Sequence, residues 1–159
     1  MTARIDFTKI NPKLIQSYLA IEGALATSGL EHKLLVLLKM RASQINGCAF
    51  CIDMHSKDAR ASGESEQRLY GLSAWRETPY YSERERAALA WLEAVTLLPQ
   101  GHAPDEAYEP LKAHFTEAEI INLTVCAANI NVWNRLAVSL RFPAGSYQVG
   151  QFKHLAQAS

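Results

Sequence analysis

Two thiols and an imidazole lie within one short stretch, Cys48-Ala49-Phe50-Cys51-Ile52-Asp53-Met54-His55. The local pattern reads as helix, and on a helix positions i, i+3 and i+7 share one face, so Cys48, Cys51 and His55 are expected to converge. Thiols that close can give up two electrons by joining as a disulfide. A histidine beside them can take the proton whose loss turns a thiol into a thiolate. The spacing therefore points to redox chemistry.

A free thiol, with a pKa near ~8.5, is only a few per cent thiolate at neutral pH, so reactivity depends on surroundings. Cys48 would sit at a helix N-terminus, where unpaired backbone N–H groups favour negative charge. Cys51 would have His55 one turn further on. For a peroxide-consuming site, a thiolate attacks the O–O bond to give a sulfenic acid, and the second cysteine condenses with it. His55 is nearer to Cys51, so Cys51 is assigned as the attacking thiol, Cys48 as the resolving thiol and His55 as acid/base. The reversed assignment stays open, because the cysteine at a helix terminus often has the lowered pKa.

Other readings compete: in a scaffold subunit without peroxide turnover the pair can serve as a disulfide relay or hold zinc. Two cysteines and a histidine supply three tetrahedral zinc ligands, and the fourth would be Cys126, His32, His102, His114 or His154, all distant in sequence. The pair can also be buried and inert, as free cysteines often are. Haem attachment through CxxCH is excluded, since Ile52 follows Cys51.

The elements that must position these residues are helical throughout, with no convincing period-two run. Asn11-Pro12 reads as a cap with proline in the first turn, followed by Leu14, Tyr18, Ile21 and Leu25 and stopped at Gly29. A second helix runs from Glu31 toward Gln44, and Asn46-Gly47 breaks the chain before Cys48. Gly63 would end the cysteine-bearing helix. Ser82-Glu83-Arg84-Glu85 and Thr116-Glu117-Ala118-Glu119 are capping-box patterns. The second opens the most apolar helix, about Glu117 to Leu140, whose breadth of apolar positions suggests burial on several sides. Trp75 to Tyr81 and Pro99 to Pro104 read as loops. The tail beyond Pro143 is expected either to pack on a neighbouring subunit or to be mobile.

A chain of 159 residues suggests one domain spanning 1–159, large enough to bury a core without a metal or disulfide staple. Sixteen Lys+Arg balance sixteen Asp+Glu with no long run of like charge, which argues against nucleic-acid partners. The first residues lack a signal-like apolar stretch and no apolar run approaches the ~18 residues of a membrane span. The expectation is a soluble cytoplasmic protein with no membrane partner. Three cysteines in such a chain argue against a structural disulfide framework.

The run Ser43-Gln44-Ile45-Asn46-Gly47-Cys48 through His55 resembles the motif of the AhpD-like alkylhydroperoxidase branch of the carboxymuconolactone decarboxylase superfamily. The similarity extends more loosely to Trp75-Arg76, to Ser82 through Arg86 and to Asn129 through Arg135. The resemblance implies an all-α fold of about six to eight helices that forms homo-oligomeric rings, trimers or hexamers. It implies a peroxidase or disulfide-reductase activity in antioxidant defence, with Cys48, Cys51 and His55 at the functional positions. It implies no haem, flavin or metal, a hydroperoxide substrate, and a lipoylated or thioredoxin-like dithiol protein as reductant. The superfamily's other branch, the lactone decarboxylases, does not depend on paired cysteines.

One position departs from the pattern. The family's glutamate, twelve residues before the first cysteine, falls on Val36. A carboxylate from another helix would then serve His55, and Glu93 is the candidate, as the one ionisable side chain between Ala87 and Leu98. Its alternative is the solvent edge of an amphipathic helix. Asn129, Asn131, Asn134 and Arg135 need hydrogen-bond partners if buried, and a structural role fits them best. Cys126 reads as a small buried hydrophobe, His102 as surface, and Trp75, Trp91 and Trp133 as core or interface aromatics.

Overall fold

In the computed structural model, which describes residues 2–6 and 10–152, every regular element is helical. Eight α-helices appear: α1 (Pro12–Ala26), α2 (His32–Ile45), α3 (Ala49–Ala61), α4 (Glu66–Gly71), α5 (Glu83–Thr96), α6 (Leu98–Gly101), α7 (Asp105–Tyr108) and α8 (Glu117–Leu140). Two 3-10 segments, Leu72–Glu77 and Glu109–Ala113, complete the described chain. No described helix is long and apolar enough to cross a membrane.

Local chemistry sets most helix ends. Asn11 caps α1, its side chain accepting from the Leu14 N–H at 3.4 Å, with Pro12 behind it. Ser82 and Thr116 open α5 and α8 as full capping boxes, their partner glutamates Glu85 and Glu119 reaching back to the cap N–H. After α3 the chain turns at Gly63, whose φ of +79° belongs to the left-handed region that glycine tolerates.

α2 is the centre of the fold, packing on α3, α5 and α8. Its positions 34 to 38 are all buried (Leu34, Leu35, Val36, Leu37, Leu38), which requires neighbours on every side. Leu38, Leu89, Leu92, Leu123 and Ile130 are essentially sealed from solvent, and each such side chain contributes about 2 kcal/mol of burial. The expectation of burial on several sides holds for α8 as well, which packs on α1, α2, α3 and α5. On α8 a broad face is buried, while Ile121, Val125 and Val138 face outward.

Two expected loops are partly helical. Trp75 and Arg76 lie in the first 3-10 segment, and Pro99 starts within α6. Both pieces are too short to show periodicity, and proline in a first helical turn reads locally like a breaker. The described tail packs on its own chain. Lys57 Nζ donates to the carbonyl of Tyr147 at 3.0 Å, the Gly145 N–H donates to Asp53 Oδ2 at 3.1 Å, and the Tyr147 hydroxyl donates to Asp58 Oδ1 at 2.8 Å. His154 lies outside the described residues.

Candidate functional site

The turn between α2 and α3 places the first cysteine. Gly47 takes a φ of +64° with nothing near where a Cβ would stand, so the backbone angle is what requires glycine there. The Cys48 N–H then donates to the carbonyl of Ser43 at 3.0 Å. Asn46 pins the turn to α8: its side-chain amide reaches Asn131 Oδ1 at 3.0 Å and Asn134 Oδ1 at 2.9 Å. Asn134 closes the ring by donating to the Ser43 hydroxyl at 3.0 Å. Asn131 also donates to Thr96 Oγ1 at 3.0 Å. Asn131 and Asn134 of α8 thus form a buried, partnered network that holds the turn, and such networks fix one arrangement when satisfied, whereas Asn129 donates to Glu22 and its Oδ1 is without a partner.

Cys48 is the N-cap of α3, and its sulfur accepts from the Cys51 N–H at 3.4 Å. The two cysteines are joined as a disulfide across a Cα–Cα distance of 5.4 Å. Both are 1% exposed and pack against Ala137, Phe50 and Phe142. The Phe50 and Phe142 rings meet edge-on at 5.6 Å.

Beside the disulfide lies a cavity of about 830 Å³, and Cys51 lines it whereas Cys48 does not. Most of its wall is apolar, with Met54, Trp133 and Phe142 prominent. His55 opens into the same space, is 7% exposed, and its Nε2 has no hydrogen-bond partner. Burial, and then the positive charge of Lys39, push the His55 pKa down to about 3, so the ring is a neutral base.

Val36 also lines the cavity, and it packs with Ala59 and Leu69. A hydrocarbon stands where the resemblance places a glutamate. Glu93 is buried, but its carboxylate is engaged by other groups. Arg41 Nε donates to it at 2.6 Å and the Trp75 indole N–H at 2.9 Å, and Arg76 is bound as well. Burial alone would raise its pKa, but these donors outweigh that and hold the carboxyl below its ordinary value. Glu93 does not line the cavity, and the structure does not bring it to His55. Its solvent-edge alternative does not describe it either, since it is 8% exposed.

Asp6, Glu22 and Asp58 are the carboxylates that line the cavity among the described residues, and Glu22 of α1 is paired with Lys39 of α2 and accepts from Asn129 Nδ2 at 2.7 Å. Sequence reading passed over both residues. The signal for Lys39 was present: it is the one charge inside the apolar run Leu34 to Met40. Glu22 carried none, because its partner lies seventeen positions away.

Cys126 is buried and free, its thiol pushed by burial up to about 11. Among the described residues, no three His, Cys, Asp or Glu side chains are grouped so as to hold a metal ion. Chemically, the arrangement offers a reducible disulfide with one of its two cysteines lining a cavity, a neutral imidazole one turn away and an ion pair in the wall.

Comparison with known proteins agrees with this geometry. Residues 12–94 match the model of the carboxymuconolactone decarboxylase family. The uncharacterized protein YdfG of Bacillus subtilis (strain 168) is 40% identical over 146 residues, 92% of this chain and 99% of that one. A crystal structure of a protein of unknown function from Agrobacterium tumefaciens, for which an antioxidant-defence role as an AhpD is suggested, superposes with a TM-score of 0.88 at 46% identity, covering 92% of this chain and all (100%) of the other. The debrominase Bmp8 shares the fold, with a TM-score of 0.77 at 20% identity over 93% of this chain and 75% of its own.

Proposed function

The chain belongs to the carboxymuconolactone decarboxylase family, in its AhpD-like branch, and from that membership we propose that it is a cysteine-based hydroperoxide reductase. The observation that carries the reading is the joined Cys48–Cys51 pair with Cys51 opening onto an apolar cavity beside a neutral, buried His55.

In the reduced protein His55 takes the proton of the Cys51 thiol. The Cys51 thiolate attacks one peroxide oxygen: an S–O bond forms, the O–O bond breaks, and the alkoxide leaves with a proton as the alcohol. Cys51 is then a sulfenic acid. The Cys48 sulfur, stabilised as thiolate at the N-terminus of α3, attacks Cys51, and hydroxide leaves as water with the second proton. Two electrons pass from the dithiol to the peroxide. A dithiol protein, lipoylated or thioredoxin-like, returns them by exchange, entering at Cys51 because that residue lines the cavity.

The apolar wall favours an organic hydroperoxide over hydrogen peroxide. The same proposal takes residues 1–159 as one AhpD-like domain, acting in the cytoplasm as a trimer or hexamer. The test is consumption of an organic hydroperoxide by the reduced protein. Loss of two free thiols per chain is expected alongside turnover, and Cys51→Ser should abolish it. Undiminished turnover in Cys51→Ser would reject the assigned chemistry.

A further inference from the structure

We propose that Lys39, anchored by Glu22, is a positioning residue of this site: its ammonium is the fixed positive charge that stabilises a thiolate at Cys51 and opposes a second positive charge on His55. The inference rests on the dithiol reading above. It takes the place of the carboxylate mechanism that Val36 makes unavailable at its usual position.

Three observations converge on Lys39. It lines the cavity together with Cys51 and His55, and among the described residues it is the one lysine or arginine to do so. Its side chain is 14% exposed, and it is bound to Glu22, itself held by Asn129. A buried ammonium would not persist without such a partner. Burial would lower the Lys39 pKa, but the neighbouring Glu22 carboxylate outweighs it and holds the value above that of a free lysine, so the charge remains in place through the neutral range.

The titratable groups that line the cavity with His55 come from several elements. Its own helix contributes Cys51 and Asp58, the latter bound by the Tyr147 hydroxyl of the tail. α2 contributes Lys39 and His32, α1 contributes Glu22, and the N-terminal segment contributes Asp6. Cys126 of α8 lies within the field of Lys39 and remains a neutral thiol. Within this set the ammonium is the permanent cation. One fixed charge then has two effects with the same outcome. An imidazolium at position 55 is disfavoured, so the base is ready to accept, and a negative sulfur at position 51 is favoured, so the proton leaves it.

The test uses the full-length reduced protein carrying Cys48→Ser, with Cys51 alkylation by iodoacetamide followed by peptide mass across about pH 5 to 10. Lys39→Met is expected to raise the Cys51 midpoint by roughly one unit, a tenfold loss of thiolate at neutral pH. Removing Lys39 alone leaves a buried carboxylate, so Glu22→Gln/Lys39→Met provides a charge-free pair, which should show a rise in the same direction but smaller, because the opposing carboxylate is gone too. Lys39→Arg should keep the wild-type midpoint. In parallel, the His55 ring followed by NMR should titrate at higher pH in both Lys39→Met variants. A merely structural role would lower stability and leave both midpoints unmoved, and unmoved midpoints in the double variant overturn the proposal. Hydroperoxide consumption by the unmodified reduced protein is scored separately. Its absence would reject the peroxidase reading while the midpoints still decide the role of Lys39.

Discussion

Cys48 caps the helix that carries Cys51: its sulfur accepts the Cys51 N–H at 3.4 Å, and of the two residues only Cys51 lines the cavity. A thiol in place of the usual Ser, Thr, Asp or Asn cap makes a weak hydrogen bond, so the position is used for chemistry at some expense in helix stability. The two single-serine variants of the reduced protein should then behave differently. Cys48→Ser leaves Cys51 reachable and should alkylate and form a trappable sulfenic acid. Cys51→Ser leaves the covered Cys48 and should react at least about tenfold more slowly. Equal rates, measured by mass spectrometry, would contradict the asymmetry.

Acid should destabilise the protein through His55. The group's folded pKa, about 3, lies below its ordinary value of 6.5, so between those pH values the unfolded chain binds a proton that the folded chain does not. Stability therefore falls as pH drops from about 6.5 toward 3, by up to the order of 4 kcal/mol from this residue. Urea unfolding of the protein and of His55→Phe at several pH values checks it. The variant should show a clearly flatter slope in that window.

Glu93 should matter to stability. It binds Arg41, Arg76 and the Trp75 indole, and Glu93→Ala strands Arg41, whose side chain is 16% exposed, beside an unpartnered indole N–H. A loss of about 2–3 kcal/mol is expected by chemical denaturation, discounted from a fully buried pair because Arg76 is solvated. A loss under about 0.5 kcal/mol would show that the cluster is not what holds α5 to α2 and the 3-10 segment.

The amide network behind the cysteine turn makes a separate prediction. Asn134→Ala removes an acceptor for Asn46 and the donor to Ser43, at a cost of about 1–2 kcal/mol. Because Ser43 also accepts the Cys48 N–H, hydrogen exchange at that amide should quicken in the variant. Unchanged protection there would mean that the turn is held by the backbone alone.

What the sequence by itself determined is local. The caps at Asn11, Ser82 and Thr116, the left-handed Gly47 and Gly63, and the placing of Cys48, Cys51 and His55 along one short helical stretch follow from spacings of a few residues, where helix geometry fixes who meets whom. The buried state of Cys126 and the partnered state of Asn131 and Asn134 were legible too, since polar and apolar types announce what their surroundings must supply. Tertiary structure alone decided that Glu22, with Asp6 and Asp58, shares the cavity with His55 and that Glu93 does not. Glu93 and Glu22 look alike as isolated charges on amphipathic helices, but the packing of α5 turns one toward two arginines and an indole, and that of α1 turns the other toward Lys39. It also decided which cysteine lines the cavity and that the tail folds back onto α3. Those outcomes depend on contacts between segments far apart in the chain, which no short-range periodicity encodes.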